Sequence, residues 1–444
     1  MRLNGTKATS IHQYRGLGNQ LWDLGGSRPS LDLNFSYTKN LVDGVTGKSL
    51  VDFTRASSGT YVGSDGLIKT AATNEPRFDH NPTTGESLGL LVEEQRTNSV
   101  RNNTMVGAVA GTPGTLPTNW VGSLAGGLSR EVVGTGITNG INYIDLRIFG
   151  TATNTNLAIN LAFEGTVIAA ASGQSWTESM WISMVAGSTT GINYIQSNIT
   201  ERSAAAADLA YNNGANFVPT IGSFLRRTYA VTLGNASTAY AVPGLWVGHT
   251  GVGAVVDITL RIGLPQLEQG AFATSVIPTL GTAAVTRSAD VCSISGSNFS
   301  SWYRQDEGTV FADINSAPVN TLVQLAFDVS EGIGNERYFG RRGGGSTFAF
   351  AVIDGGVTQA DVGAPVVIPG SARYLSASAY KSNSINVAVA GQAGTEDTTA
   401  TVPTVDRLFI GQNFASGQQV NGTIRRLAYW PTRLANATLQ EITR

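Results

Sequence analysis

The sequence has few of the residues that form disulfide bonds or bind metal ions in small proteins. It contains one cysteine, Cys292, and three histidines, His12, His80 and His249, among 444 residues. A single cysteine excludes an intramolecular disulfide framework and a multi-cysteine zinc site. No histidine stands at metal-ligand spacing from another histidine or cysteine, so we expect no zinc centre and no cofactor. Cys292 is interpreted as a small buried hydrophobic residue near a strand.

Charge is also scarce. Charged residues make up 14% of the chain and the formal net charge is −2. Lysine is absent between Lys69 and Lys381, and no basic run appears. The electrostatic footprint of a nucleic-acid binder is therefore missing, and we expect no nucleic-acid partner. The low charge does not indicate disorder, because 41% of the residues are hydrophobic and disordered chains show the reverse balance.

Long apolar runs are missing as well. No stretch approaches the length of about 18 apolar residues that a membrane-spanning helix needs, so we expect no membrane insertion. Residues 1–7 lack the apolar segment of a signal peptide. The sequence therefore predicts synthesis in a cytoplasm, without export by a recognisable signal.

Glycine and alternating strands are what the chain has in abundance. Glycine occupies 53 positions, which favours many short turns over long helices. Residues 144–148, 157–163 and 256–262 alternate apolar with smaller or polar side chains, the pattern of half-buried antiparallel strands. The sequence predicts an all-β protein built from tandem antiparallel β-sandwich (jelly-roll) domains.

Turn signals divide the chain into four predicted parts. Residues 1–30 read as an N-terminal anchoring arm, 31–98 as a small β-rich module, 99–290 as a jelly roll and 291–444 as a second sandwich. Residues 203–209 are read as a helical turn or a loop. A short helix is expected at the C-terminus, capped by Asn436, with Leu439 and Ile442 on one face. No fixed-period repeat appears, which disfavours a solenoid or propeller.

Motifs that resemble catalytic ones fail in their context. Residues 85–89 read GESLG, the letters of a nucleophile elbow, but a turn precedes the serine and a strand-like run follows it. Glu93-Glu94 and Asp306-Glu307 are carboxylate pairs in sequence only, because neighbours on a strand point to opposite faces. We therefore predict no enzyme activity, with glycoside hydrolysis left as an alternative that no residue pair supports.

A structural calcium ion stays open as an alternative. Loop carboxylates such as Asp65, Asp354 and Asp361 are common at the edges of β-sandwiches. No spacing typical of an EF-hand supports the ion. We expect no metal ligands.

Aromatic side chains are the residues that sugar binding would use, because flat rings pack on the CH-rich faces of sugars. The chain offers Trp120, Trp176, Trp246, Trp302, Tyr338 and Tyr374, although an aromatic residue in a strand is more often part of a core. Arg341-Arg342 precedes the glycine run 343–345, a predicted hairpin connection where an anionic sugar would find a basic pair. We predict glycan contacts at Tyr338, Arg341, Arg342, Tyr374 and Trp302.

Three blocks together resemble modules of tailed-bacteriophage virion proteins. The first consists of residues 51–57 (VDFTRAS), 59–62, 65–68, 74–79 (NEPRFD) and 89–98 (GLLVEEQRTN). The second, residues 265–275 continuing to 286–290 (TRSAD), is similar to the end of a carbohydrate-binding jelly roll. The third, residues 422–431 (GTIRRLAYWP), looks like the end of a concanavalin-like lectin or laminin-G-type sandwich.

This resemblance implies a structural protein located in a virion: a tail fibre, a spike or a head fibre. It implies a homotrimer attached to other virion proteins through residues 1–30, which binds host cell-surface polysaccharide for adsorption. Two alternatives remain, a capsid decoration or connector protein without glycan binding and a polysaccharide depolymerase tailspike. The resemblance transfers no binding residue to a particular position of this chain.

Overall fold

The computed structural model describes residues 20–24, 26–317, 323–344 and 346–444. Within these residues the protein consists of antiparallel β-sheets and four short helices, which confirms the predicted all-β class. No helix in these ranges is both long and apolar enough to cross a membrane. The chain forms two compact units: unit 1 combines Met1–Gln95 with Ser288–Arg444, and unit 2 is Arg96–Arg287.

The elements are as follows in chain order. The first segment of unit 1 contains α1 (Gln20–Leu24), β1 (Leu31–Leu33), α2 (Phe35–Thr38), β2 (Asp52–Thr54), β3 (Gly59–Val62), β4 (Ile68–Ala71), β5 (Phe78–His80) and β6 (Ser87–Val92). Unit 2 contains β7 (Arg96–Asn98), β8 (Val121–Leu124), β9 (Leu128–Thr138), β10 (Ile141–Thr151), β11 (Ile159–Ala162), β12 (Ile168–Ala169), β13 (Ser175–Gly187), β14 (Ile192–Arg202), β15 (Asp208–Asn213), β16 (Leu225–Thr232), β17 (Tyr240–His249), β18 (Val255–Gln269) and β19 (Val285–Arg287). The second segment of unit 1 contains β20 (Val291–Ser295), α3 (Gly296–Ser300), β21 (Glu307–Asn315), β22 (Gln324–Ser330), β23 (Arg337–Arg342), β24 (Thr347–Asp354), β25 (Val357–Val367), β26 (Arg373–Lys381), β27 (Asn386–Val389), β28 (Gln392–Ala393), β29 (Arg407–Ile410), β30 (Gly422–Trp430) and α4 (Asn436–Ile442).

Unit 1 is a sandwich of two sheets that both chain segments build. One sheet has the strand order β28-β27-β26-β21-β30-β6-β5, with β1 also paired to β30, and the other has the order β2-β20-β29-β22-β23-β24-β25. Buried side chains of both sheets, among them Ile424, Phe327 and Cys292, form one core. The burial of Cys292 in β20 confirms its interpretation as a small buried hydrophobic residue.

The prediction that residues 31–98 form a module of their own is wrong. Strand β6 of the first segment pairs with β30, and β2 pairs with β20. Strands of three to six residues bury too little apolar surface to be stable alone, so they complete the sandwich of residues 288–444 instead. The predicted boundaries at 99, 290 and 291 differ by a few residues from the limits of unit 2, Arg96–Arg287.

A buried network of charges joins the two segments of unit 1. Asp290 accepts hydrogen bonds from Arg55 Nη1 at 3.1 Å and from Arg77 Nη2 at 2.5 Å. Arg77 Nη1 also pairs with Glu93 at 2.8 Å. The side chains of Arg55, Arg77 and Asp290 are fully buried. Two cations and two anions therefore balance one another inside the fold, where an unpaired charge is costly.

The predicted N-terminal arm lies partly outside the described residues, which begin at residue 20. Its later part packs on unit 1. Leu21 is buried, and Trp22 Nε1 donates a hydrogen bond to Asp32 at 2.9 Å. Trp430 Nε1 donates to the carbonyl oxygen of Ser27 at 2.8 Å. Residues 21–24 and 26–30 thus contribute to the fold of unit 1.

The predicted C-terminal helix is confirmed as α4, with Leu439 and Ile442 buried on one face. The predicted cap is wrong, because Ala435 occupies the N-cap position. Asn436 is the first residue of the helix, and its Nδ2 donates a hydrogen bond to Glu396 at 2.8 Å. The asparagine side chain therefore ties the helix to a neighbouring loop.

Unit 2 is a second antiparallel sandwich. Its sheets have the strand orders β16-β13-β18-β10-β9 and β15-β14-β17-β11-β8, with β12 also paired to β17. The alternation in residues 144–148 and 256–262 is confirmed, since Ile144, Leu146 and Ile148 are buried and lie opposite the apolar residues of β18. The outward-facing Asp145 pairs with Arg261 at 2.8 Å.

Replacing the buried carboxylate of unit 1 should be far more destabilising than replacing an exposed one. Asp290→Ala removes the anion that two buried guanidinium groups share, and we expect it to lower the free energy of unfolding of unit 1 by about 3–5 kcal/mol. The matched control is Asp306→Ala, since Asp306 pairs with Arg304 at the surface. That variant should leave stability nearly unchanged, because water screens an exposed ion pair. Equilibrium urea unfolding measures both, and equal losses would contradict the structural role of Asp290.

Candidate functional site

The three aromatic residues predicted to contact glycan lie inside unit 1. Tyr338, Tyr374 and Trp302 are 0%, 4% and 5% exposed. The Tyr338 ring lies 4.4 Å from that of Tyr380, and burial raises the pKa of Tyr338 well above its ordinary value. The prediction is wrong for these residues, because their large apolar rings fill the core between the sheets.

The two predicted arginines have different places. Arg342 is fully buried, and it donates hydrogen bonds to Ser316 Oγ at 2.8 Å and to the carbonyl oxygen of Ile368 at 2.7 Å. Arg341 is partly exposed and pairs with Asp361 at 2.5 Å. Strands β23 and β24 pair on either side of the glycine run, which confirms the hairpin. Arg342 is therefore a structural residue and not the predicted sugar contact, which leaves Arg341 alone at the surface.

The catalytic-looking strings have structural surroundings. Ser87 is the first residue of strand β6, so the helix that a nucleophile elbow needs does not follow it. Glu93 belongs to the buried network through Arg77. Asp306 is exposed and pairs with Arg304 at 2.6 Å. These contacts give the side chains structural roles.

The loop carboxylates considered for calcium each have a different partner. They are held separately: Asp65 by Lys69, Asp354 by Thr401 and Asp361 by Arg341. Across the described ranges, no group of three or more His, Cys, Asp and Glu side chains is placed to hold a metal ion.

A polar cavity of about 200 Å³ lies on one face of unit 2. Its floor is the sheet β15-β14-β17-β11-β8, on the face turned away from the core. Strand alternation produces this division: Ile199 and Leu245 point into the core, while Thr200 and Trp246 line the cavity. We call it the sheet-face cavity.

A row of side chains crosses the floor of the sheet-face cavity. Ser123 lies opposite Asn160, Asn160 opposite Trp246, and Trp246 opposite Gln196 on four neighbouring strands. At the usual strand spacing the row spans about 14 Å. No hydrogen bond within the described residues occupies the side chains of Ser123 and Asn160. Their hydroxyl and amide groups are therefore available to a ligand.

Trp246, the aromatic member of this row, forms a pair with Tyr211 of β15. The rings of Trp246 and Tyr211 lie 5.0 Å apart at an interplanar angle of 56°. Tyr211 is 54% exposed, and its hydroxyl donates a hydrogen bond to Asp208 Oδ2 at 3.1 Å. Beside Trp246 on the same strand Gly244 carries no side chain, which leaves the floor open there. The pair presents ring surface to solvent next to the polar row.

Hydrogen bonds hold the remaining polar groups of the floor in place. Thr200 Oγ1 donates to Asn198 Oδ1 at 2.6 Å, and Asn198 Nδ2 donates to Asn213 Oδ1 at 2.8 Å. Because each member of this chain fixes the next, the amide orientations are set before any ligand arrives.

The charges that line the sheet-face cavity are paired. Arg202 Nε donates to Asp208 Oδ1 at 2.6 Å. Glu164 accepts hydrogen bonds from Arg101 at 2.7 and 3.0 Å. Burial alone would raise the pKa of Glu164, but the hydrogen bonds from Arg101 and Thr166 hold it below its usual value. The cavity thus contains ionised groups without an unbalanced charge.

Comparisons with known proteins find likenesses of fold only. No protein-family model matches the chain, and no curated protein matches its sequence. Among solved structures, the CBM40 of the Ruminococcus gnavus IT-sialidase is 13% identical, with a TM-score of 0.28, over 32% of this chain and 84% of that one. The CBM22-1 xylan-binding domain of Paenibacillus barcinonensis Xyn10C is 14% identical, with a TM-score of 0.25, over 40% and 94%. At these TM-scores, neither likeness carries an argument about ligand or activity.

Sequence reasoning included Trp246 among the aromatic residues but did not select it, and it missed Tyr211. Strand β17 has apolar residues on both faces, so alternation does not tell which face Trp246 occupies. The sequence predicts a helical turn or a loop for residues 203–209. In the structure β15 begins at Asp208 and carries Tyr211, Asn212 and Asn213. A short polar strand with a single aromatic residue is the sequence pattern that points to Tyr211.

A buried carboxyl group lies on the core side of the cavity floor. Glu178 of β13 is fully buried, and its oxygens make no hydrogen bond of standard geometry within the described residues. Burial raises the pKa of Glu178 well above its ordinary value of 4.5, although the backbone N–H groups of Asn198 and Gly244 favour the ionised form. Burial therefore favours the protonated, neutral form of this side chain.

Glu178→Gln should remove part of the pH dependence of stability. Because the pKa of Glu178 is raised in the folded protein, the unfolded chain releases this proton at a lower pH than the folded chain does. The wild type should lose stability as the pH rises above about 4.5 towards the raised folded-state pKa, while the amide variant loses less. Urea unfolding midpoints between pH 4 and 8 measure the difference between the two proteins.

Glu201→Gln, in the same unit, is a control that should change the pH dependence of stability in the opposite direction. Burial would raise the pKa of Glu201, but hydrogen bonds from Thr238, Asn212 and the N–H groups of Gly234 and Asn235 lower it. Its carboxylate stabilises the fold above about pH 4.5 and loses this effect as the pH falls through the lowered pKa. The E201Q variant should therefore be most destabilised at neutral pH. Parallel pH profiles for wild type and both variants would contradict these assignments.

Proposed function

We propose that the sheet-face cavity binds carbohydrate and that the protein is a non-catalytic glycan-binding subunit of a phage virion. The observation that carries the binding proposal is the exposed Tyr211 ring beside Trp246, next to the unoccupied polar groups of Ser123 and Asn160. Sugars present CH-rich faces and hydroxyl edges, which such rings and amides match. The pair and the row lie on one rigid sheet, so little order is lost on binding.

We propose no catalysis because both carboxylates of the sheet-face cavity are bound by other side chains. Glu164 is 1% exposed and is held by Arg101. Asp208 is held by Arg202 and Tyr211. Glycoside hydrolysis needs one carboxyl group that donates a proton and another that attacks or activates water. Glu164 suits neither role, because Arg101 and Thr166 engage its oxygens and hold its pKa below the usual value. Both oxygens of Asp208 are engaged as well.

The virion assignment rests on the sequence resemblance of residues 51–98, 265–290 and 422–431. On this proposal the protein is a fibre or spike subunit, a homotrimer, that joins other virion proteins through residues 1–30 and adsorbs to host polysaccharide. A capsid decoration or connector without glycan binding, and a depolymerase tailspike, are the competing functions.

Trp246→Ala should weaken glycan binding. We expect the dissociation constant for whichever of cellohexaose, xylohexaose and mannohexaose binds to rise at least about tenfold, which corresponds to about 1.4 kcal/mol. Asn160→Ala should weaken binding as well; its side chain has no internal partner, so it tests the site without endangering the fold. The control is Trp181→Ala, since Trp181 is a half-buried tryptophan on the other sheet of unit 2. Isothermal titration measures each variant, and equal binding by W246A and W181A would overturn the proposal.

The virion role makes a separate prediction. Immunogold labelling of purified virions with antibody to this chain should mark the tail or projecting fibres, and light scattering should give about three times the chain mass of 46.4 kDa. Labelling of the capsid shell together with silence on a glycan array would favour the decoration protein. Release of reducing ends from host polysaccharide would favour the depolymerase.

A further inference from the structure

We infer that the sheet-face cavity selects uncharged glycans, and that Asp208 is the residue that sets this preference by balancing Arg202. The inference deepens the proposed function and rests on it. The sequence predicts instead an anionic sugar at Arg341-Arg342. That prediction does not hold for the pair, because Arg342 is buried.

Every charged side chain that lines the cavity is paired. Arg202 is the one cation that lines the cavity in the described residues, and its guanidinium pairs with Asp208. Glu164 is the second anion of the lining, and Arg101 balances it. Both carboxylates and both guanidinium groups are thus already paired, so an anionic sugar that enters finds no unpaired cation to offset the hydration that its charge loses. A neutral sugar has no such cost.

An uncharged ligand would meet neutral hydrogen-bonding groups and aromatic rings in the cavity. The Ser123 hydroxyl and the Asn160 amide supply both donors and acceptors, as hydroxyl groups of sugars require. Trp246 and Tyr211 supply ring surface without charge. Every group of the cavity that is available to a ligand is thus neutral, apart from the outer N–H groups of Arg202.

Asp208 has two contacts, which make it the specificity-determining residue. One oxygen accepts the hydrogen bond of Arg202 Nε, and the other accepts that of the Tyr211 hydroxyl. Asp208→Asn keeps the size of the side chain and removes its charge, so the charge of Arg202 becomes unbalanced inside the cavity. The variant should therefore attract anions that the wild type rejects.

The test compares affinity ratios for two probes of each charge. Cellohexaose and xylohexaose are the neutral probes; trigalacturonic acid and 3′-sialyllactose are the anionic ones. In D208N we expect the ratio of anionic to neutral affinity to rise at least about tenfold, and the gain should shrink at high salt, which screens charge. Asp257→Asn is the matched control, because Asp257 pairs with Arg147 Nε at 2.9 Å in the same unit but outside the cavity. Tyr211→Phe removes the hydrogen bond to Asp208 without changing charge, and neither control should raise the ratio.

The outcomes separate this inference from the function on which it rests. Wild-type binding of a neutral probe that W246A loses, together with the gain in D208N alone, supports both. Wild-type preference for an anionic probe, lost in W246A, overturns the inference and leaves the glycan-binding proposal intact. An unchanged ratio in D208N overturns the role of Asp208. Binding that does not depend on Trp246 overturns the proposed function and the inference with it.

Discussion

Unit 1 depends on one carboxylate. Asp290 accepts hydrogen bonds from Arg55 and Arg77, two buried arginines that lie far from it in sequence. The Glu93 N–H donates to the Asp290 side chain at 2.9 Å, and the Asp290 N–H donates to the Glu93 carbonyl oxygen at 2.9 Å. Because buried charges are tolerated only when they are paired, the two segments of unit 1 must assemble together. The chain therefore leaves unit 1 just after Glu93 and returns to it just before Asp290.

Four of the sequence segments quoted in the sequence analysis each supply one member of this network. Arg55 stands in VDFTRAS, Arg77 in NEPRFD, Glu93 in GLLVEEQRTN and Asp290 in TRSAD. In a chain with 14% charged residues, these charges lie where they hold the fold and not where a ligand would meet them. These segments therefore hold the two parts of unit 1 together. They do not describe a binding surface, which explains why they transferred no ligand contact.

The sequence predicted those features that neighbouring residues determine. Alternation revealed Ile144, Leu146 and Ile148 as core residues, because one face of that strand is apolar and the other charged. It did not place Trp246, since both faces of β17 are apolar. The joining of the two segments of unit 1 was not predictable either, because partners such as Arg55 and Asp290 are 235 positions apart and leave no local pattern. The glycan contacts were misplaced for the same reason: burial of Tyr338 depends on the sheet that covers it.

The kind of binding proposed for the sheet-face cavity fits the composition of the chain. Affinity that comes from ring stacking and neutral hydrogen bonds changes little with salt, unlike affinity from charge pairs. It is also limited by the small cavity, about 200 Å³, below the usual size of a small-molecule site. A subunit that holds each sugar weakly becomes an effective adhesin only when several copies engage one polysaccharide, since linked sites raise the effective concentration at one another. On this reasoning a trimer suits the proposed function, because linked copies of a small neutral site would strengthen one another's binding to a polysaccharide.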